Sequence, residues 1–264
     1  MITVLGASGF IGSSVVRRLE ALGAEHRAVR RNDPVPTGSL GHVIYCIGLT
    51  ADFRSRTFDT IDAHVCTLLD VLRRGGFESL LYLSSTRLYA GSDSTSEGAA
   101  ISVSPLDVYN ASKIAGESLV LNCGGVGRVV RISNVYGDDF ESDNFLSTII
   151  KDAISERKVV LQTSAESAKD YVSIDNVVYA LIQIATTGKE RLYNLASGWN
   201  TSNDQLAKAL HHSTGCTVEY SPSAPRVTFP PINIDRLRAE FAFKTSPVLD
   251  DIPRLIETYR RNLK

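Results

Sequence analysis

The chain has 264 residues, 28 Lys+Arg against 29 Asp+Glu for a formal net charge of −1, and 43% hydrophobic content. That length supports a well-buried core in one large domain or two unequal ones, and the balanced charge lacks the basic excess of a nucleic-acid binder. No stretch approaches the roughly 20 apolar residues that span a bilayer, and the first apolar run, Ile2 to Leu5, is too short for a signal peptide.

The expected compartment is therefore the cytoplasm, with neither membrane nor nucleic acid as partner. The four cysteines, Cys46, Cys66, Cys123 and Cys216, form no CxxC pair and fall mostly in apolar surroundings. Buried free thiols are expected of them rather than disulfides or a metal site.

Along the chain, "ITVL" reads as a strand, followed by a helix from about Gly12 to Leu22 with Val15, Val16 and Leu19 on one face. "HRAV" is a second strand and "HVIYCIG" a third. A helix is predicted over 57–74, with Ile61, Val65, Leu68, Leu69 and Leu72 at helical spacing. "SLLYLSS" is a strand, "YNASKIAGESLVLN" a helix and "GRVVRISNVYG" another strand. Near-continuous apolar strands separated by helices predict an α/β fold with a Rossmann-like, doubly wound parallel sheet covered on both faces.

Between "HRAV" and "HVIYCIG" lies only "RRNDPVPTGSLG", with Pro34 and Pro36 inside it. A helical crossover takes about a dozen or more residues, whereas ten extended residues reach about 33 Å. An extended link is expected here, leaving the sheet one strand–helix unit shorter than usual.

After Gly137 the regularity decays. Helices near 144–156, 175–186 and 202–214 alternate with "KVVLQT", "RLYNLAS" and "CTVEYS", and prolines at 222, 225, 230 and 231 punctuate a late loop. The expected division is a dinucleotide-binding domain over 1–137, with 158–180 contributing to it, and a smaller lobe over 138–264.

The strand–helix junction "TVLGASGFIG" sets Gly6, Gly9 and Gly12 three apart. Backbone N–H groups at a helix N-terminus suit a pyrophosphate. Gly6, Ser8, Gly9, Phe10, Ile11 and Gly12, together with Gly48, are accordingly candidate cofactor contacts. The second strand ends in Val29-Arg30-Arg31, where an NAD-binding fold often places an acidic residue for the ribose. Arginine attracts a 2′-phosphate, so Arg30 and Arg31 predict NADP, with NAD as second choice.

Tyr109 and Lys113 stand four apart on a predicted helix and share a face. A free tyrosine titrates near 10, about three units too high for easy proton exchange at neutrality, and an adjacent ammonium favours the phenolate. Ser85 closes a parallel strand at its carboxyl end, where such sheets bind ligands, and could donate to a carbonyl oxygen.

Taken together, "GASGFIG", "SSTRLY", "YNASK", "RISNVYG", "AKDYVSIDNVV", "YNLASG" and the closing "DRLRAEFAFKTSPVLDDIPRLIETYR" resemble the extended short-chain dehydrogenase/reductases, in their nucleotide-sugar epimerase/dehydratase/reductase group. The resemblance runs over nearly the whole chain, with the motifs in family order. It implies catalytic roles for Ser85, Tyr109 and Lys113, cofactor contacts by the last two, and substrate contacts at Thr86, Asn134, Lys169 and Arg226. It also implies that the lobe over 138–264 is substrate-binding, that the substrate is a nucleotide sugar and that a homodimer forms through helices 58–74 and 108–122.

Three departures stand out. His64 occupies a place where relatives often carry asparagine, and is expected to be a surface or hydrogen-bonded histidine. Lys169 replaces a frequent arginine, turning a bidentate grip on a diphosphate into a point charge. Thr86 and Arg87 stand where the family's dehydratases carry an acid and a base, and arginine does not deprotonate.

Sugar 4,6-elimination is therefore disfavoured. The expected reaction is NADPH-dependent reduction of a nucleotide-linked 4-keto-6-deoxy sugar, with the proton from Tyr109. The alternatives are an NAD-dependent 4-epimerase and, in another class, a catalytically inactive cofactor-sensing regulatory protein.

Overall fold

In the computed structural model, which describes residues 1–31, 33–49, 53–138 and 144–262, the chain opens with β1 (Ile2–Leu5), α1 (Phe10–Ala21), β2 (His26–Val29) and β3 (Gly41–Tyr45). One helical stretch follows: α2 (Thr57–Ile61), a π-helical turn (Asp62–Cys66) and α3 (Thr67–Arg74). Then come β4 (Phe77–Ser85), a 3-10 turn (Thr86–Tyr89), α4 (Val108–Leu121), β5 (Gly127–Ile132) and β6 (Asn134–Tyr136). The remainder is α5 (Phe145–Ser155), β7 (Lys158–Leu161), β8 (Ala168–Ser173), α6 (Ile174–Thr187), β9 (Leu192–Leu195), β10 (Asn200–Ser202), α7 (Asn203–Thr214), β11 (Thr217–Tyr220), α8 (Asp235–Phe241) and α9 (Val248–Asn262).

Six strands form one parallel sheet in the order β2-β1-β3-β4-β5-β9. Alternation along each strand divides its side chains between two cores. On β4, Leu81 and Leu83 join Val15 and Leu19 of α1 and Leu181 and Ile184 of α6. Leu80 and Tyr82 join Leu68 and Val71 of α3 and Val120 of α4 on the other face. The doubly wound α/β arrangement follows directly from that pattern. As expected, the described residues of the link from β2 to β3, which crosses over β1, form no helix.

The expected domain boundary does not match the strand pairing. "RLYNLAS" supplies β9, the sixth strand of the large sheet, where Leu192 pairs with Val129 and Leu195 with Ile132. The free edge of β5 is thereby covered, and α6 packs on the same sheet. β7, by contrast, pairs with β11 and takes no part in the large sheet. β8 lies in a three-stranded sheet with β6 and β10. The chain thus leaves the sheet after β5, builds the lobe core of α5, α7 and α9, and returns through α6 and β9 before completing that core.

"GRVVRISNVYG" is two strands rather than one. It breaks at Ser133, whose backbone N–H reaches the Leu195 carbonyl at 3.0 Å and whose hydroxyl donates to Asp170 at 2.6 Å. The chain then changes sheets, and Asn134 pairs with Tyr171. "HVIYCIG" ends as a strand at Tyr45.

All four cysteines are free, but only Cys216 is buried, and Cys66 is exposed on the π-helical turn. Among the described residues no helix is long and apolar enough to cross a membrane.

Candidate active site

A cavity of about 720 Å³ opens above the carboxyl ends of β1, β3, β4 and β5 and reaches into the lobe. Its floor begins at α1. Gly6 has φ +84, and a Cβ there would lie 2.9 Å from Cys46 C and Ile47 N. A Cβ on Gly12 would collide with the Gly6 carbonyl. Those two glycines are required by the chain's approach to itself.

Gly9 differs: a Cβ would meet only the Gly6 carbonyl oxygen, at 3.6 Å, so nothing in the protein fills that space. Gly9 is the N-cap of α1 and no side chain caps the helix. The first-turn N–H groups are left for an anion, and Gly9, Phe10, Ile11 and Gly12 all line the cavity. This cradle fits a dinucleotide pyrophosphate. Gly48 also lines it, whereas Gly6, exposed Ser8, Arg30 and Arg31 lie outside its walls.

Ser85, Tyr109 and Lys113 meet in this cavity. Ser85 arrives on the last position of β4. Tyr109 and Lys113 share one face of α4, which is clamped to β5 by a buried pair. Arg131 donates to both Glu117 oxygens, at 2.9 and 2.7 Å, and to the Tyr89 hydroxyl at 2.8 Å. Tyr109 is 6% exposed and Lys113 4%. The Lys113 ammonium donates to the Leu83 carbonyl at 2.9 Å, and burial draws its pKa down to about 7, with Glu117 opposing.

Burial also pushes the Tyr109 phenol up from its ordinary value. A hydrogen bond with Ser85 and the charge of Arg87 pull the other way, and Asp107 adds to the rise. That rise runs against the expected acidifying effect of Lys113 on the phenol. The lowering influences come first from Ser85 and then from Arg87, and burial leaves Lys113 only partly protonated near neutrality.

His64 lies on the π-helical turn at 0% exposure, so it is a hydrogen-bonded histidine and not a surface one. Leu49 N–H donates to Nε2 at 3.3 Å, which leaves the proton on Nδ1, 2.8 Å from Ser112 Oγ. Burial, then the Lys113 charge, lowers its pKa to about 3. The ring stands edge-on to Tyr109, centroids 5.5 Å apart.

Of the expected substrate contacts, Thr86, Asn134 and Lys169 line the cavity. Thr86 donates to the Ile132 carbonyl at 3.4 Å, and the Asn134 amide is tied to the Asp170 carbonyl at 2.8 Å. Lys169 rests over the Phe145 ring at 4.9 Å. Arg226 is exposed and outside the cavity; its neighbours Val227 and Phe229 form the wall instead. That wall is the proline-punctuated loop, held to β8 by Ala168 N–H on the Val227 carbonyl at 3.1 Å.

Sequence reasoning missed Arg54, Asp107, Asn110 and Phe145. Asn110 is 8% exposed, lines the cavity and, among the described residues, has no partner for Oδ1, and the same holds for Ser84 Oγ on the floor. Its position directly after Tyr109 was the one available signal.

Known proteins agree with this architecture. Residues 41–196 match the NAD dependent epimerase/dehydratase family. A dTDP-glucose 4,6-dehydratase from Streptomyces griseus is 28% identical over 162 residues, 58% of this chain and 49% of its own length. The chain thus spans about half of that relative. A dTDP-4-dehydro-6-deoxy-D-allose reductase from a Streptomyces species is 24% identical over 313 residues, covering 98% of this chain and 96% of the reductase. Among solved structures, MoeE5 in complex with UDP-glucose and NAD superimposes with a TM-score of 0.84 at 22% identity, covering 100% of this chain and 99% of that one. Matched over more than half its length, this chain belongs to the NAD dependent epimerase/dehydratase family.

Proposed function

We propose that the chain reduces a nucleotide-linked 4-keto-6-deoxy sugar with NADPH, Tyr109 giving the proton to the carbonyl oxygen. The observation that carries this reading is the convergence of Ser85, Tyr109 and Lys113 on one cavity that also contains the uncapped end of α1. When bound, the reduced nicotinamide supplies a hydride. The first-turn N–H groups of α1 would hold its pyrophosphate, and Lys113, beside Tyr109, would hold its ribose. Ser85 donates to the substrate oxygen and keeps it against the phenol.

Two features favour reduction over elimination. Thr86 is bonded to a backbone carbonyl, and Arg87 is paired with Asp107 at 3.1 Å, so neither is placed as a base. The reductase relative is also similar along almost its full length. For the cofactor, Arg30 and Arg31 are exposed just past the carboxyl end of β2. The Arg30 backbone N–H is bonded to Asp33 at 2.8 Å, and the two exposed guanidinium groups would meet a 2′-phosphate there.

Incubation with NADPH and a panel of nucleotide-linked 4-keto-6-deoxy sugars tests the reading: cofactor consumption on at least one is expected. Tightly retained NAD in the purified protein would favour a 4-epimerase instead. Cofactor binding without turnover would favour a regulatory protein. Replacing both arginines, Arg30→Ala with Arg31→Ala, is expected to weaken NADPH about tenfold or more while leaving NADH nearly unchanged in fluorescence titrations.

A homodimer belongs to the same proposal. Phe58 on α2 is 85% exposed and Leu106, just before α4, 94%. Light scattering checks the mass.

A further inference from the structure

Asn110 is a buried amide whose hydrogen-bonding capacity the fold leaves unused. It follows Tyr109 on the first turn of α4, is 8% exposed and lines the cavity. Its backbone is fixed, the N–H donating to the N-cap Asp107 at 3.2 Å. Its side chain is not: among the described residues the enclosed Oδ1 has no partner. A buried acceptor without a donor is costly, and asparagine is among the poorer helix formers. Neither packing nor propensity favours this residue here.

The groups beside it bound what it can pair with. A charged substituent would find Arg54, Arg87, Lys169 and Asp107 along the same walls. A neutral amide matches a neutral hydroxyl instead. The neutral donors nearby are already engaged: Thr86 on the Ile132 carbonyl, Ser133 on the Asp170 carboxylate and the Asn134 amide on the Asp170 carbonyl. A half-turn about χ2 exchanges Oδ1 and Nδ2 within one outline, and a hydroxyl, donor and acceptor at once, pairs with whichever faces it.

We propose that Asn110 is a specificity-determining residue that reads the hydroxyl on the carbon next to the reacting carbonyl. The proposal rests on the reductase reading, and it names a group that the substrate must carry. In a 4-keto-6-deoxy sugar the carbonyl carbon lies between C3 and C5. C5 carries the ring oxygen and the methyl group, so the neighbouring hydroxyl is that of C3. Tyr109 meets the carbonyl oxygen, and the next residue along α4, about 3.8 Å away at Cα, meets the adjacent position of the sugar.

Two measurements test this, the first without a sugar. An asparagine held for the fold loses stability when its amide is removed. One held for a ligand does not, because its polar group is unpaired in the free protein. Asn110→Leu keeps roughly the outline of the amide, and Asn110→Ala only removes atoms. At least one of them is expected to match or exceed the parent's urea midpoint in the ligand-free state. A lower midpoint in both overturns the proposal.

The second measurement compares NADPH consumption on a nucleotide-linked 4-keto-6-deoxy sugar and on its 3-deoxy counterpart. The parent protein should prefer the hydroxylated sugar by about 10–100-fold in kcat/KM, the range for a hydrogen bond whose loss strands a buried partner. In the Asn110 variants the hydroxylated sugar should lose that factor and the 3-deoxy sugar much less, so the preference narrows toward one. NADPH affinity in a fluorescence titration should stay near the parent's. Equal losses on both sugars, or an undiminished preference in the variants, overturn the proposal. A keto-sugar panel without cofactor consumption overturns the reductase reading, while the urea midpoints still separate an amide held for the fold from one held for a ligand.

Discussion

The two ends of the cavity are built from different materials. At the α1 end the walls are mostly backbone. Gly12 in the wall is pressed against the Gly6 main chain behind it, Lys113 is tied to the Leu83 carbonyl, and behind the wall both nitrogens of His64 are engaged. At the lobe end the walls are side chains: Arg87 over two rings, Lys169 over Phe145, Asn110 with an oxygen unpartnered among the described residues, and Phe229. A backbone-built end holds its shape with or without a ligand. A side-chain-built end leaves polar groups whose burial is costly until something pairs with them. On the proposed reading the first end would fix the cofactor and the second would select the substrate.

Tyr109 sits where the two ends join, so removing its hydroxyl gives the largest expected effect. Tyr109→Phe keeps the ring between Phe53 and His64 and removes only the proton donor. Turnover should fall by about 10²–10⁴, the range for a lost general acid. Cofactor affinity in a fluorescence titration should stay near the parent's, because the α1 end is untouched. A Phe variant that still turns over would place the proton donor elsewhere.

The glycines sharpen the comparison within the backbone-built end. Gly12→Ala drives a methyl into the Gly6 carbonyl, and its neighbours are main chain that cannot give way. A stability loss of about 1–3 kcal/mol is expected, the range for overpacking, read as a lower urea midpoint. Gly9→Ala meets only one oxygen at 3.6 Å and points into the cavity. It should cost about 0.5 kcal/mol as a poorer N-cap yet weaken cofactor binding sharply. Equal destabilisation by both alanines would break this division of roles.

The sequence reveals the α1 end more fully than the lobe end, for a physical reason. The β1–turn–α1 unit, the period-2 cores of β4 and the Tyr109–Lys113 face are local, and local spacing determines them. β9 has the same apolar pattern whichever sheet it joins, so its place beside β5 depends on a partner more than fifty residues away. The switch at Ser133 depends on Asp170, and the wall at Phe229 on a loop docking against β8. Arg87 was visible as a missing base, but its stacking on Phe53 and Tyr109 exists only in three dimensions. The burial that opposes the acidity expected of Tyr109 is equally non-local: spacing places an amine beside a phenol and says nothing of how deeply both are buried.

His64 provides the smallest test of the rigid end. Folding lowers its pKa to about 3, first through burial and then through Lys113, against roughly 6.5 for an unfolded histidine. Between those values the unfolded chain binds a proton that the folded chain does not, so stability rises with pH there and falls as pH drops below 6.5. From pH 7 to pH 5.5 the cofactor-free protein should lose about 1 kcal/mol from this residue alone. His64→Gln offers an acceptor to Leu49 N–H and a donor to Ser112 but does not titrate. Urea midpoints of the two proteins should therefore agree near neutrality and separate as the solution becomes acidic, with the glutamine variant losing less. Parallel losses in both would mean that other groups, and not the histidine beneath Tyr109, make the α1 end acid-sensitive.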